Sequence, residues 1–264
     1  KSVGDFLLVT FSGHGNRIDD INSQKMIEGE DILGFDQTWC LHDRQIIDDE
    51  LAQLWSSFEK GVRILIISDS CYSGEVFAIA DFLGEITITS LNTAEVVKPF
   101  EETTKIIVKN SLIKVKENSL QAGDKQLVPS NEVFYKRWEE YRKVKVDLED
   151  ALAIEKSKPG NQNVKSFRDL IKASVISISA CGSEEKAKDG NSASDNSIFT
   201  AALKYVWYGT YTPSPTQVGN FTGDYDEFFQ MVKVKTLSIN SEQEPILDGF
   251  NNDTFKKQKP CFKI

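Results

Sequence analysis

The chain has 264 residues, 40% of them hydrophobic and 27% charged, the balance of an ordinary globular protein with room for one large domain. A formal charge of −9 argues against nucleic acid as a partner, because phosphate binding needs a basic face. No apolar run approaches the roughly 20 residues of a membrane-spanning helix, so a membrane is not an expected partner either.

In chain order, Asp5–Ser12 reads as a buried strand, since Phe6-Leu7-Leu8-Val9-Thr10-Phe11 is a continuous apolar, β-prone run. It stops at Gly13-His14-Gly15. Residues 16–35 are polar and without periodicity and predict a long loop. Asp48–Phe58 predicts a helix, capped by Asp48, with Leu51, Leu54 and Trp55 on one face. After Gly61, Val62–Ser68 predicts a second buried strand, ending in Asp69-Ser70-Cys71-Tyr72-Ser73-Gly74. Two such strands joined through a helix form a βαβ unit and imply a parallel sheet. Sites gather at the carboxyl ends of strands in these sheets, and both the Gly-His-Gly and the Asp-Ser-Cys segments fall there.

Further along, Lys98–Gln126 suggests a hairpin. Asn131–Lys156 predicts a highly charged helix whose Phe134, Trp138, Tyr141, Leu148 and Leu152 form a packing stripe. Ser174–Ala180 predicts a third central strand. Ser197–Tyr208 and Tyr225–Lys235 predict amphipathic helices, and the tail ends in an irregular Gln243-Glu244-Pro245 segment. The four cysteines lack paired CxxC spacing and are too sparse for a disulfide framework, so a reducing, cytoplasmic compartment is expected. No signal peptide is evident at the start. Cys40, Cys181 and Cys261 read as small apolar fillers, and His42 as a surface residue.

One histidine and one cysteine on different strand ends are the parts of a thiol nucleophile. Cysteine attacks a carbonyl as thiolate, a neighbouring imidazole provides it, and the same imidazole returns the proton to the leaving amine. His14 and Cys71 are the pair. Flanking glycines let backbone N–H groups approach a developing oxyanion, and those of Gly15 and Cys71 are the candidates.

The residues around both positions resemble the caspase/metacaspase superfamily of peptidases. Phe11-Ser12-Gly13-His14-Gly15 is similar to its histidine motif and Asp69-Ser70-Cys71-Tyr72-Ser73-Gly74 to its metacaspase-like cysteine motif; bacterial caspase-like proteins, the orthocaspases, look closest. The 57-residue separation is near the roughly 50 expected for caspases. Ile46-Ile47-Asp48-Asp49-Glu50, Ser179-Ala180-Cys181, Ile198-Phe199-Thr200-Ala201-Ala202-Leu203 and Gln243-Glu244-Pro245 add to the resemblance. It implies an α/β, caspase–hemoglobinase fold with a mostly parallel sheet between helices. The family's strand, helix and strand before the histidine strand have no counterpart here, so a separate or preceding segment is expected to supply them.

By the same resemblance, Asp69, with a lesser part for Ser12, lines a pocket for a basic P1 side chain, which makes proteins or peptides cut after Arg or Lys the expected substrates. Asp36, Asp48 and Asp49 match aspartates that bind calcium in some metacaspases. The fourth such position holds Ala78, so no required cofactor is expected and calcium is not the favoured ligand. The resemblance divides the chain into a histidine/cysteine half (1–91), an insert (92–167) and a C-terminal half (168–264). Lys109, Lys114, Lys116 and Lys125 in the insert are candidate self-cleavage points. A caspase-like interaction module without hydrolytic activity, and a hydrolase acting on a non-peptide acyl group, are the rival readings.

Overall fold

A computed structural model describes residues 4–27, 30–71, 131–182, 185–190, 196–211 and 213–262, with backbone alone for 19–27, 30–34 and 131–138. All of them fall in one compact unit formed by residues 1–79 and 123–264. The suggested Lys98–Gln126 hairpin and the four candidate cleavage lysines lie outside the described residues.

The centre is a four-stranded sheet in the order β1 (Phe6–Ser12), β5 (Arg63–Asp69), β6 (Ser174–Ser179), β7 (Ile246–Phe250). The first three run parallel and β7 is antiparallel to β6. β5 and β6 carry continuous apolar sequence because both their faces are covered, whereas β1 is not the fully buried strand expected: Leu7, Val9 and Phe11 pack on one core while Leu8, Thr10 and Ser12 are exposed. Ile64 and Ile66 of β5 join Val175 of β6 in one core, with Leu51 and Trp55 of α1 (Asp48–Ser56). Leu65 joins Ile176 and Ile178 in the other core, under α3 (Ile198–Tyr208) and α4 (Tyr225–Ile239), which supply Phe199, Phe228 and Val232. The architecture is mixed α/β with a mostly parallel central sheet flanked by helices, as the caspase–hemoglobinase resemblance implies.

Residues 16–27 and 30–35 are not a loop. They form most of β2 (Gly15–Ile27) and β3 (Glu30–Cys40), an antiparallel ribbon extended by β4 (Gln45–Ile47) into a separate three-stranded sheet. Its register shifts between Asp20 and Lys25, and that irregularity erases the two-residue alternation by which a strand is read. Asp48 is the first residue of α1 rather than its cap: Ile47 holds the cap position, and its N–H donates to the Glu50 carboxylate at 3.2 Å. Leu54 leaves the expected face and is half exposed. The segment after Gln243-Glu244-Pro245 continues into β7 and a short α5 (Asp253–Lys256). Gly249 sits within β7 at φ +145°, where a Cβ would stand 1.9 Å from the Val175 carbonyl oxygen, and this close approach hid the strand from its propensities. The charged helix is α2 (Asn131–Ser157), packed on α1 with Tyr141 and Leu148 buried. Phe134 and Trp138 fall where only the backbone is described.

Candidate active site

Parallel pairing of β1 with β5 brings the two motifs together. Every β1 residue pairs with the residue 57 positions later, Phe6 with Arg63 and Ser12 with Asp69. His14 and Cys71 have the same separation, so they occupy equivalent places just beyond the carboxyl ends of neighbouring strands. The Gly13 N–H donates to the Asp69 carbonyl at 3.2 Å, continuing the pairing past the strand end. The Cys40 N–H donates to the His14 carbonyl at 3.0 Å, which ties the histidine turn to β3. Trp39, opposite Gly15 in the ribbon, stacks on Phe11 with ring centroids 4.8 Å apart. Its indole N–H donates to Ser68 Oγ at 2.9 Å, and Ser68 Oγ lies 3.2 Å from Ser70 Oγ. This buried polar chain runs from the ribbon to the residue before Cys71.

His14 is exposed, as is Ser12, whereas Cys71 is 1% exposed and its thiol donates to the Ala187 carbonyl at 3.6 Å. The irregular segment of Ala187 is held in turn by Gln243, which is fully buried. Gln243 Oε1 accepts the Lys188 N–H at 3.0 Å, and its amide donates to the Ala180 carbonyl at 3.1 Å. In the sequence Gln243 stands out only as part of the Gln243-Glu244-Pro245 match. A polar residue in a tail without periodicity carries no signal for such a staple.

Asp69 is buried. Ser197 Oγ donates to its Oδ2, and Thr200 Oγ1 donates to the same oxygen at 2.5 Å. Ser197 is the N-cap of α3 and accepts the Thr200 N–H at 3.1 Å, so the carboxylate sits on the positive end of that helix. Cys40 is half-buried; Cys181 and Cys261 are buried, and none of the three is in a disulfide. Burial pushes the Cys261 thiol up to about 12. His42 is exposed.

Asp36, Asp48 and Asp49 gather on β3 and α1, away from the strand ends, and each has a cationic partner. Lys145 Nζ of α2 lies 3.1 Å from Asp36 Oδ2 and 2.7 Å from Asp49 Oδ2. Tyr141 Oη donates to Asp36 Oδ2 at 2.8 Å, and Arg168 engages Asp48 at 2.5 Å. Burial holds the Asp48 carboxyl well above the usual carboxylate range; Arg168 opposes this, and the Asp36 and Asp49 carboxylates add to it. Calcium takes six to eight oxygens. Here its place between the carboxylates is taken by an ammonium, and a doubly charged ion about 4 Å from Lys145 would be repelled by roughly 8 kcal/mol at an effective dielectric of about 20. The arrangement does not fit calcium. Among the described residues no group of three or more His, Cys, Asp or Glu side chains is placed to hold a metal.

The family described as metacaspase, peptidase C14 domain, matches residues 1–80, the segment that carries both motifs. Metacaspase-7 of Arabidopsis thaliana is 37% identical over 100 residues, covering 37% of this chain and 24% of that protein. Metacaspase-8 of the same plant is 39% identical over 72 residues, covering 27% and 18%. The chain thus matches about a quarter or less of the length of these curated relatives. A crystal structure of protein GSU0716 from Geobacter sulfurreducens aligns with 98% of this chain and 71% of its own at a TM-score of 0.53 and 23% identity, a likeness of fold. Residues 1–80, which carry both motifs, are thus similar to metacaspases of the peptidase C14 family. No helix among the described residues is long and apolar enough to cross a membrane.

Proposed function

We propose that the protein is a cysteine endopeptidase in which Cys71 is the nucleophile and His14 its base, cutting after Arg or Lys. The observation that carries this reading is the shared 57-residue offset, which sets the histidine and cysteine turns side by side at the carboxyl ends of β1 and β5. His14 takes the thiol proton, and the Cys71 thiolate attacks the scissile carbonyl. The oxyanion is held by the N–H groups of Gly15 and Cys71. His14 then protonates the leaving amine, and water releases the thioester acyl group through the same base. Ser12 and Asp69, register partners on the two strands, form the base of the pocket for the basic P1 side chain. Its charge is met by the Asp69 carboxylate, beside the Ser197 and Thr200 hydroxyls that already donate to it. The motif forms support an orthocaspase assignment within the superfamily, and the sparse cysteines support a cytoplasmic location.

The test is a positional-scanning peptide library presented to the full chain and to its Cys71→Ala form. Cleavage after Arg and Lys by the first and none by the second is expected. Faster cleavage after Asp than after Arg by the unmutated chain would reject the specificity.

A further inference from the structure

The proposed chemistry leaves one buried cation unused. Lys145 lies midway along α2, and its side chain is 2% exposed. An ammonium is costly to bury unless carboxylates and hydrogen bonds compensate it. Asp36, itself buried, and Asp49 both do so, from β3 and α1, and the Tyr141 hydroxyl one turn earlier on α2 fixes the Asp36 carboxylate from the same side.

We propose that Lys145 is the resident cation of this carboxylate cluster, a tethered ammonium standing where the family resemblance would put calcium, so that α2 itself supplies the charge that a metal would supply. Three observations bear on it together. The ammonium bridges two carboxylates from different elements, as a metal would. The third carboxylate, Asp48, is turned to a second cation, Arg168, and so is withdrawn from any shared ion. The Tyr141-Lys145 pair occupies one helix face at an i, i+4 spacing, so the hydroxyl and the ammonium reach the cluster as a unit. A cation attached to the chain acts at the effective concentration set by its tether, whereas free calcium must shed water and displace it. The helix is thereby clasped to the half of the chain that carries both motifs, without a metal.

The inference is independent of peptidase activity and is tested without it. The full chain is titrated with calcium chloride by calorimetry. Tm is then measured for the Lys145→Met and Asp49→Asn single variants and their double variant; Asp49 is 36% exposed, so its substitution leaves the core untouched. Lys145→Gln replaces Lys145→Met if the latter does not fold. The expected results are no saturable binding up to about 1 mM calcium, and a double variant that loses clearly less Tm than the two single losses added together. Calcium binding to the unmutated chain that is weakened tenfold or more by Asp49→Asn, or strictly additive losses of Tm, would overturn the proposal.

Discussion

Gly15 is pressed against Cys71: a Cβ on Gly15 would stand 2.1 Å from the Cys71 carbonyl oxygen and 3.2 Å from its amide nitrogen. Both atoms are backbone, so neither can rotate away. Gly15→Ala must therefore push β2 from the cysteine turn. Overpacking of this kind costs typically about 1–3 kcal/mol. The expected outcome is a chain that folds with a lowered Tm and has lost at least 100-fold in kcat/KM on an Arg substrate. Unchanged kinetics in a folded Gly15→Ala chain would separate the histidine turn from the reaction.

Gln243 acts from the tail through Lys188 on the segment whose Ala187 carbonyl accepts a hydrogen bond from the Cys71 thiol. Gln243→Ala leaves the Lys188 N–H and the Ala180 carbonyl without this partner, a loss of about 1–3 kcal/mol for buried groups. Denaturant unfolding should register that loss, with kcat reduced more than KM is raised, because the staple lies on the thiol's side of the site. A rise in KM alone would assign Gln243 to substrate binding.

β5 and β6 are legible in the sequence because they are buried on two sides: Ile64, Leu65 and Ile66 alternate between two cores, and each core demands an apolar residue. β1 is legible from its β-prone apolar run alone, since Leu8 and Thr10 on its other face are exposed. The β2–β3 ribbon lacks that demand, and its register shift removes the remaining signal. The motifs marked His14 and Cys71, and the parallel register explains their spacing. The carboxylate cluster is legible in the sequence without its partner, because a lysine in a charged helix is ordinarily solvated. The spacing held the clue: Lys145 is four residues after Tyr141 and three before Leu148, on the apolar stripe rather than opposite it.

Asp69 and Ser197 should separate binding from stability. Asp69→Ala is expected to raise KM for Arg substrates at least tenfold while leaving kcat within a few-fold, since a carboxylate contact with a basic group is worth about 1.5–3 kcal/mol. Ser197→Ala removes the α3 cap and should cost about 0.5–2 kcal/mol of stability, with a smaller change in KM. Steady-state kinetics on paired Arg and Ala P1 substrates, with unfolding curves, distinguish the two. Equal effects on both substrates would assign Asp69 to the fold alone.

Asp224 caps α4: its Oδ1 accepts the Glu227 N–H at 2.9 Å, and Glu227 Oε2 accepts the Asp224 N–H at 3.0 Å. The Glu227 N–H bond is the main reason its carboxyl is held below the usual range. A lowered folded-state pKa contributes stability that is full above the unfolded value, near 3.8, and is lost as pH falls through the folded value. Asp224→Ala should therefore cost about 1 kcal/mol at neutral pH, and the gap to the unmutated chain should close as pH falls below 3.8 and through the lowered folded-state value. Urea unfolding at a series of pH values checks it; a gap that widens in acid would contradict the cap.

The central claim is that Cys71 and His14, brought to adjacent strand ends, cut peptide bonds. Its most direct measurement is hydrolysis of an Arg-P1 peptide by the full chain beside its Cys71→Ala and His14→Ala forms, with thermal unfolding of all three. The account predicts cleavage by the unmutated chain alone, with no more than a few per cent remaining in either variant while both unfold cooperatively. Equal cleavage by all three, or none by a well-folded unmutated chain, would contradict it.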